Sequence, residues 1–261
     1  MTLLAVAVEG RGLVDPSKPV LRADDEAVLR GGAAFETIRV YGGRPFLLAE
    51  HLTRFRFSAD ALALAAPDGV EALVALVTGA APPDHVLRLY RTSHALLATA
   101  AALPDGLEET RARGLALRTF EVGAPPPLLG GAKATSYGVS FAARREAERS
   151  GADDALLVGE GLVLEAATAN IWWRSGDELF TPATRPGVLP GVTRGFVRSL
   201  EPVLEGAFPL ADLLGADEAF TTSSIREVMP VVAVDGAPVG DGRPGPAAAR
   251  LQAALRLRSA A

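Results

Sequence analysis

The chain has 261 residues, 49% of them hydrophobic, with a formal net charge of −5 and no cysteine. The absence of cysteine excludes disulfides and thiolate chemistry. Three scattered histidines do not predict a catalytic zinc site. The net negative charge does not suggest a nucleic-acid binder. Because Glu9 interrupts the first apolar run and no run of about 18 apolar residues follows, we predict neither a signal peptide nor a membrane span. We therefore expect a cytoplasmic protein with no metal site.

The first half of the chain predicts a sheet with two helices. Residues 24–30 predict a short capped turn, residues 11–22 a loop, and Gly42-Gly43 a hairpin turn. Apolar residues at helical spacing predict helices at residues 49–64 and 69–78. Strands are predicted at residues 3–8, 30–41, 44–48, 85–93, 95–101 and 115–120.

The clearest boundary lies at residues 121–131, where three consecutive prolines fit neither a helix nor a central strand. We therefore predict an N-terminal domain of residues 1–120, an interdomain linker of residues 121–131, and a C-terminal domain of residues 132–261. Helices are predicted beyond the linker at residues 139–150, 193–200, 212–214 and 247–257. Strands are predicted at residues 154–158, 162–165, 170–174, 178–181, 218–221 and 227–234. The pattern indicates a mixed α/β, or α+β, fold.

Lysine is rare in this chain: Lys18 and Lys133 are the only lysines among 26 basic residues. A lysine, unlike an arginine, can become a neutral amine and form a Schiff base. Lys133 lies in an uncharged stretch just past the predicted linker, and domain interfaces often hold small-molecule pockets. The alternative is an ordinary surface lysine.

Two segments have the composition of an anion-binding site. Gly191-Val192-Thr193 precedes a predicted helix, where backbone N–H groups and a hydroxyl can bind a phosphate. Thr222-Ser223-Ser224 offers further hydroxyls at a strand end, and Arg54 offers a bidentate partner. Each has a simpler alternative, namely an ordinary N-cap, a turn and a solvated helix arginine.

Glu165 follows the apolar run Leu162-Val163-Leu164. It therefore lies either at an exposed strand edge or at a buried position where it has a functional role. A buried ionised glutamate needs a cationic partner, and a protonated pyridine nitrogen would be one. A lysine, a phosphate site and a glutamate for a ring nitrogen together predict pyridoxal 5′-phosphate chemistry.

Several motifs extend this interpretation over most of the chain. They are Phe-Glu-Thr-Ile-Arg at 35–39, Glu-His-Leu-x-Arg at 50–54, Lys133 with Tyr137, Glu165 with Asn170-Ile171, Gly-Val-Leu-Pro-Gly-Val-Thr-Arg at 187–194, and the segment 223–231. In order and spacing they resemble the class IV aminotransferase family, the fold-type IV enzymes. The chain departs from the family pattern in two places: the segment Gly31-Gly32-Ala33-Ala34 stands where the family often has Gly-Asp-Gly, and Ala169 replaces a serine.

The resemblance implies a two-domain fold-type IV structure, pyridoxal 5′-phosphate as cofactor, and a homodimer. It implies that Lys133 forms the Schiff base, that Glu165 keeps the pyridine nitrogen protonated, and that Tyr137 lies near the ring hydroxyl. The implied phosphate ligands are Arg54, Val192, Thr193 and Ser224, and Ser223 is a further candidate for cofactor binding. Candidate substrate contacts are Phe35, Thr37, Arg39, Arg91 and His94.

The motif at 35–37 bears on the reaction. Phe-Glu-Thr at 35–37 is more similar to the lyase and D-amino-acid branches of the family than to the branched-chain one. We therefore favour 4-amino-4-deoxychorismate lyase, which releases pyruvate to give 4-aminobenzoate. The first alternative is an aminotransferase for branched-chain or D-amino acids with a 2-oxo acid acceptor. The second is a catalytically inactive scaffold, which the joint presence of Lys133, Glu165 and Arg54 disfavours.

Overall fold

The structure, a computed structural model, describes residues 2–123 and 130–260. The chain divides into two compact units. Unit 1 comprises the chain up to Asp105 together with Ala132–Tyr137, and unit 2 comprises most of the remainder. Within the described ranges, no helix is both long enough and apolar enough to cross a membrane.

Unit 1 is a six-stranded antiparallel sheet with two helices packed on one face. Its elements are β1 (Leu3–Val8), β2 (Gly12–Val14), α1 (Glu26–Arg30), β3 (Ala34–Tyr41), β4 (Arg44–Pro45), α2 (Leu48–Ala61), α3 (Val70–Gly79), β5 (His85–Arg91) and β6 (Leu96–Ala101). The strand order is β2-β1-β6-β5-β3-β4. The period-2 alternation of β3 gives the sheet two different faces.

The apolar face of this sheet forms the core of unit 1 with α2 and α3. Ile38 and Val40 of β3 are buried there with Leu87 and Leu89 of β5. Phe55 of α2 is fully buried in the same cluster, and burial of such a side chain contributes about 1.5–3 kcal/mol. The opposite face carries the intervening residues of β3 and β5, which are mainly polar or aromatic.

Unit 2 is a nine-stranded mixed sheet with flanking helices. Its elements are α4 (Leu107–Arg113), β7 (Leu115–Glu121), α5 (Gly138–Arg149), β8 (Asp154–Gly159), β9 (Leu162–Ala166), β10 (Asn170–Ser175), β11 (Glu178–Pro182), α6 (Val192–Arg198), β12 (Leu204–Gly206), α7 (Leu210–Leu214), β13 (Glu218–Ser223), β14 (Glu227–Val234), β15 (Ala237–Pro238) and α8 (Pro246–Ala260). The strand order is β12-β11-β10-β13-β14-β7-β8-β9, and β15 pairs with β14. The buried Ile171 and Trp173 of β10 belong to its main apolar cluster.

Most predicted helices and strands are confirmed within a few residues. The loop predicted at residues 11–22 is wrong at Gly12–Val14, which form β2 because they pair with β1 across a tight turn. The return strand predicted at residues 44–48 is shorter, since α2 already begins at Leu48. Helix α4 and the short strands β12 and β15 were not predicted.

The domain boundaries in the structure differ from the predicted ones. Residues 115–120 were placed in the N-terminal domain, but β7 pairs in parallel with β8 and β14 of the second sheet. Lys133 was placed in the C-terminal domain, whereas Ala132–Tyr137 belongs to unit 1 and Ala134 bridges to Ala34 of β3. The three prolines at 125–127 that defined the predicted linker lie outside the described residues.

Candidate functional site

The backbone on either side of Lys133 is joined to the beginning of β3. The N–H of Phe35 donates to the carbonyl of Lys133 at 3.0 Å, and the N–H of Thr135 donates to the carbonyl of Ala33 at 2.8 Å. The Thr135 hydroxyl also donates to the carbonyl of Gly31 at 2.7 Å. Gly31 has a φ of +69° and lies so close that a Cβ there would be 2.9 Å from a backbone atom of Ser136. The lysine segment is therefore fixed by the strand beside it.

The amine of Lys133 lies between two aromatic side chains. Its Nζ donates to the Tyr137 hydroxyl at 3.0 Å and lies 4.5 Å from the centroid of the Phe35 ring. The Phe35 and Tyr137 rings meet edge to face, with centroids 5.4 Å apart. Among residues 2–123 and 130–260, no carboxylate forms an ion pair with Lys133.

A buried ionic cluster lies between α2 and β3. Glu36 is completely buried, and its two oxygens accept hydrogen bonds from Arg54 Nε at 2.7 Å and from a terminal nitrogen of Arg54 at 2.8 Å. His51 Nδ1 lies 2.7 Å from the second oxygen of Glu36. His51 and Arg54 are three residues apart on α2, so they share a helix face. Glu36 thus fixes the plane of the Arg54 guanidinium by a bidentate contact.

This cluster changes the pKa values of its members. Burial alone would raise the pKa of Glu36, but the hydrogen bonds and charge of Arg54, assisted by His51, lower that pKa to about 2. Burial lowers the pKa of His51, and the charges of Arg54 and Lys133 add to this effect, against an opposing contribution from Glu36. The folded protein therefore favours an ionised Glu36 and a neutral His51 at neutral pH.

These shifts predict a stability that declines in two steps on acidification. The pKa of His51 lies below its ordinary value of 6.5, so stability decreases as the pH falls below that value and the unfolded histidine takes up a proton. The stabilisation from Glu36 is complete above pH 4.5 and is lost as the pH falls towards about 2. Urea unfolding from pH 8 to about pH 2 measures both steps. The His51→Gln variant should lack the first step, and an unchanged profile in that variant would contradict the assignment.

Phe35 lies on the polar face of the first sheet, opposite the face that packs against α2 and α3. Phe35 and Tyr90 are paired across β3 and β5 with stacked rings 6.2 Å apart, and Thr37 is paired with Arg88. Thr37 and Arg39 alternate with the core residues of β3, so these predicted substrate residues share the face of Phe35. The guanidinium carbon of Arg39 lies 5.1 Å from the centroid of the Tyr41 ring.

Two other predicted substrate residues lie elsewhere. Arg91 at the end of β5 donates through Nε to the carbonyl of Ala65 at 2.9 Å, and a terminal nitrogen lies 3.4 Å from Glu9. Its position in the strand alternation also places it off the face that carries Tyr90. His94 is exposed in the turn between β5 and β6. The geometry therefore does not bring Arg91 or His94 together with Phe35 and Lys133.

In unit 2, Glu165 is half-buried and held by two donors. One of its oxygens accepts a hydrogen bond from the Asn170 side-chain nitrogen at 2.9 Å and another from the Leu189 N–H at 2.9 Å. The same Asn170 nitrogen donates to the Leu189 carbonyl at 2.9 Å. Asn170 therefore orients the carboxylate and ties it to the loop before α6.

Gly191 at the N-cap of α6 has no room for a side chain. A Cβ there would lie 2.1 Å from the Asn170 side-chain oxygen and 3.2 Å from Arg194. We expect Gly191→Ala to displace the Asn170 amide, which would remove one of the donors to Glu165 and destabilise unit 2 by about 1–3 kcal/mol. Urea unfolding measures this loss.

Gly195 lies in the same helix and is the matched control, because a Cβ added there would have no neighbouring atom within 4 Å. Gly195→Ala should be neutral or stabilise by up to about 1 kcal/mol. Equal effects of the two alanines would contradict the steric argument.

The predicted anion ligands of unit 2 occupy helix and strand ends. Val192 and Thr193 are the first two residues of α6, and Thr193 is buried. Ser223 ends β13, and its hydroxyl accepts from the N–H of Arg226 at 3.2 Å; Ser224 follows in the turn. The neighbouring Thr222 has a structural contact instead, since its hydroxyl accepts from the Trp172 indole at 2.9 Å.

Sequence reasoning assigned no role to Glu36, His51 or Asn170. A glutamate between Phe35 and Thr37, in an alternation that points it towards the core, was a usable signal, because a carboxylate on a core face needs a cationic partner. The hydrogen bonds of Asn170 had no such signal, since they depend on a loop nineteen residues further along the chain.

Comparisons with known proteins identify the family and the fold. A family model described as amino-transferase class IV matches residues 33–234. A putative branched-chain-amino-acid aminotransferase of Methanocaldococcus jannaschii is 28% identical over 258 residues, which cover 89% of this chain and 88% of that protein. A D-alanine aminotransferase of Staphylococcus haemolyticus is 25% identical over 270 residues, 92% of each chain. A solved structure described as a hypothetical aminotransferase from Mycobacterium tuberculosis in its PLP-bound form is 26% identical, with a TM-score of 0.88 over 97% of this chain and 98% of that one.

Proposed function

The chain belongs to the class IV aminotransferase family, and we propose that it transfers an amino group from an amino acid to a 2-oxo acid. The observation that carries the proposal is the Lys133 amine, 3.0 Å from the Tyr137 hydroxyl and 4.5 Å from the Phe35 ring centroid. Pyridoxal 5′-phosphate is the cofactor of this family, and when bound it supplies an electron sink for the bonds at the amino carbon.

The groups in unit 1 fit such a cofactor. The Lys133 amine would hold it covalently and then carry a proton to and from the amino carbon, and the Tyr137 hydroxyl would orient that amine. Arg54, fixed by Glu36, would direct its guanidinium towards the phosphate. These roles rest on the contacts of the side chains and on the family motifs.

In unit 2 the fit rests on the orientation of the Glu165 carboxylate by the Asn170 side chain and the Leu189 N–H. We infer that the oriented Glu165 carboxylate keeps a pyridine nitrogen protonated. Backbone N–H groups of Val192 and Thr193, together with the hydroxyls of Ser223 and Ser224, would bind the phosphate. A carboxylate oriented by Asn170 suits its role, because it must meet a single ring nitrogen.

Transamination is better supported than the lyase reaction that the motif at 35–37 favoured. The relatives reported above are named as branched-chain and D-alanine aminotransferases, and no lyase is named among them. We therefore propose branched-chain L-amino acids or D-alanine as donors and a 2-oxo acid as acceptor. Arg88 lies on the strand face shared with Tyr90 and would contact a substrate carboxylate.

A paired assay tests the reaction. The purified protein, supplied with pyridoxal 5′-phosphate, is incubated with 2-oxoglutarate and each donor in turn, namely L-leucine, L-valine and D-alanine, and separately with aminodeoxychorismate. We expect glutamate from at least one donor and no 4-aminobenzoate. Formation of 4-aminobenzoate with no glutamate would restore the lyase assignment. Failure to bind the cofactor would instead favour the inactive scaffold.

The homodimer and the cytoplasmic location expected from the sequence remain predictions. Sedimentation analysis of the purified protein tests the first, with a mass near twice the 27.0 kDa of one chain expected.

A further inference from the structure

Ser58 is a fully buried polar residue of α2 that has no role in the proposed function. Its hydroxyl donates to the carbonyl of Arg54 at 2.8 Å and accepts from the backbone N–H of Lys133 at 2.9 Å. We propose that Ser58 is a positioning residue that fixes the distance between the Lys133 backbone and helix α2. The inference rests on the role proposed above for Lys133 and adds a residue to it.

The direction of both hydrogen bonds is determined by their chemistry. A serine hydroxyl has one proton to donate, and a carbonyl and an amide N–H can only accept and donate, respectively. With its proton directed at the Arg54 carbonyl, the hydroxyl presents its lone pairs to the Lys133 N–H. The bond to Arg54 polarises the hydroxyl and so strengthens the second bond.

The position of Ser58 along α2 gives the contact a functional consequence. Ser58 lies four residues after Arg54, so both are on the helix face directed at Glu36 and the lysine segment. The same helical turn therefore carries the guanidinium proposed for the phosphate and the hydroxyl that holds the lysine backbone. A rigid helix would keep a constant spacing between the two groups, as precise cofactor attachment requires.

Thr53 offers a matched control within the same helix. Its hydroxyl donates to the carbonyl of Ala49 at 2.9 Å, the same contact four residues back that Ser58 makes to Arg54. Thr53 is exposed. Thr53→Ala thus removes an equivalent helix contact and leaves Lys133 untouched, whereas Ser58→Ala removes both contacts of the serine.

The first measurement needs no cofactor. Hydrogen–deuterium exchange of the apoprotein reports the protection of the Lys133 amide. We expect Ser58→Ala to accelerate exchange at Lys133 by at least about tenfold, since a protected amide loses its acceptor, and Thr53→Ala to leave it unchanged. Unchanged exchange in Ser58→Ala would overturn the inference.

The second measurement uses the protein supplied with pyridoxal 5′-phosphate. We expect Ser58→Ala to weaken cofactor retention by about tenfold, the loss that follows from a misplaced reacting group, and to shift the midpoint pH of the visible absorption band. Ser58→Thr, which keeps the hydroxyl, should restore both values towards those of the wild type. A variant with faster exchange but wild-type retention and midpoint pH would show that Ser58 only holds the backbone, and would overturn the positioning role.

These outcomes are separable from failure of the proposed function. Wild-type protein that takes up no pyridoxal 5′-phosphate would overturn the proposed function before any variant is compared. Normal uptake by the wild type with equal uptake by Ser58→Ala would overturn only the role of the serine.

Discussion

Replacing Lys133 with alanine should abolish the visible absorption band that pyridoxal 5′-phosphate gives with the wild-type protein, and should lower transamination by about 10³-fold or more. An effect of this order follows because one side chain would supply both covalent attachment and proton transfer. The fold should be retained, since the segment is held by backbone hydrogen bonds of Lys133 and Thr135 that alanine at 133 leaves in place. Absorption spectra, initial rates and thermal unfolding of the purified variant check the three parts.

Lys18 provides the control for this experiment. It is the other lysine of the chain, and it is exposed in the loop after β2. Lys18→Arg should retain the visible band and full activity. A Lys133→Ala protein that keeps the band and turns over at the wild-type rate would contradict the assignment of Lys133.

Replacing Glu36 with alanine should destabilise unit 1 by about 3–5 kcal/mol, the cost of removing one partner from a buried ion pair. Glu36 accepts hydrogen bonds from Arg54 and lies beside His51, and all three are almost completely buried. Its loss would leave the Arg54 charge without that partner and its guanidinium without a fixed plane. We therefore also expect weaker binding of pyridoxal 5′-phosphate. Urea unfolding and cofactor titration measure the two effects.

An exposed ion pair on the same helix serves as the comparison. Arg56 of α2 and Glu71 of α3 lie 2.7 Å apart, with about half of each side chain exposed. Glu71→Ala should cost less than about 1 kcal/mol, because solvent screens exposed pairs. The conservative Glu36→Gln should be intermediate, since the amide keeps one acceptor for Arg54. If Glu36→Ala and Glu71→Ala had equal effects, the buried cluster would not be the anchor of Arg54.

The local pattern of apolar and polar residues was sufficient to predict most helices and strands of the fold, and the exceptions have physical causes. Helix α4 was not predicted because Glu108, Glu109, Arg111 and Arg113 give it no apolar face. Arg111 instead donates to the buried Glu227 at 2.9 Å and to the Val228 carbonyl at 3.2 Å. A helix stabilised by such contacts leaves no hydrophobic period in the sequence.

Strand β7 illustrates a second limit of sequence reasoning. Its alternation predicted a strand at the right residues, but its membership in a sheet depends on its partners. Both partners, β8 and β14, come from later in the chain. Pairing between distant segments is not encoded in local periodicity, so the predicted boundary fell after this strand rather than before it.

In the candidate site too, sequence motifs identify some residues, whereas others depend on contacts that form only in the folded chain. The proximity of Lys133 and Tyr137 was foreseeable from a family motif, and the structure joins them at 3.0 Å. Glu36 received no role, because its partners lie on α2 and meet it only after that helix packs on β3. Arg91 was chosen for its charge, yet strand alternation and its contact with Ala65 place it away from Phe35.

The most direct test of the central claim is peptide mapping of the protein after pyridoxal 5′-phosphate is added and reduced with borohydride. Since the chain contains two lysines, the added mass has few places to appear. We predict that it is found on the peptide containing Lys133 and is absent from that containing Lys18. Modification of Lys18 or the N-terminal amine alone, or no modification, would contradict Lys133 as the residue that holds the cofactor.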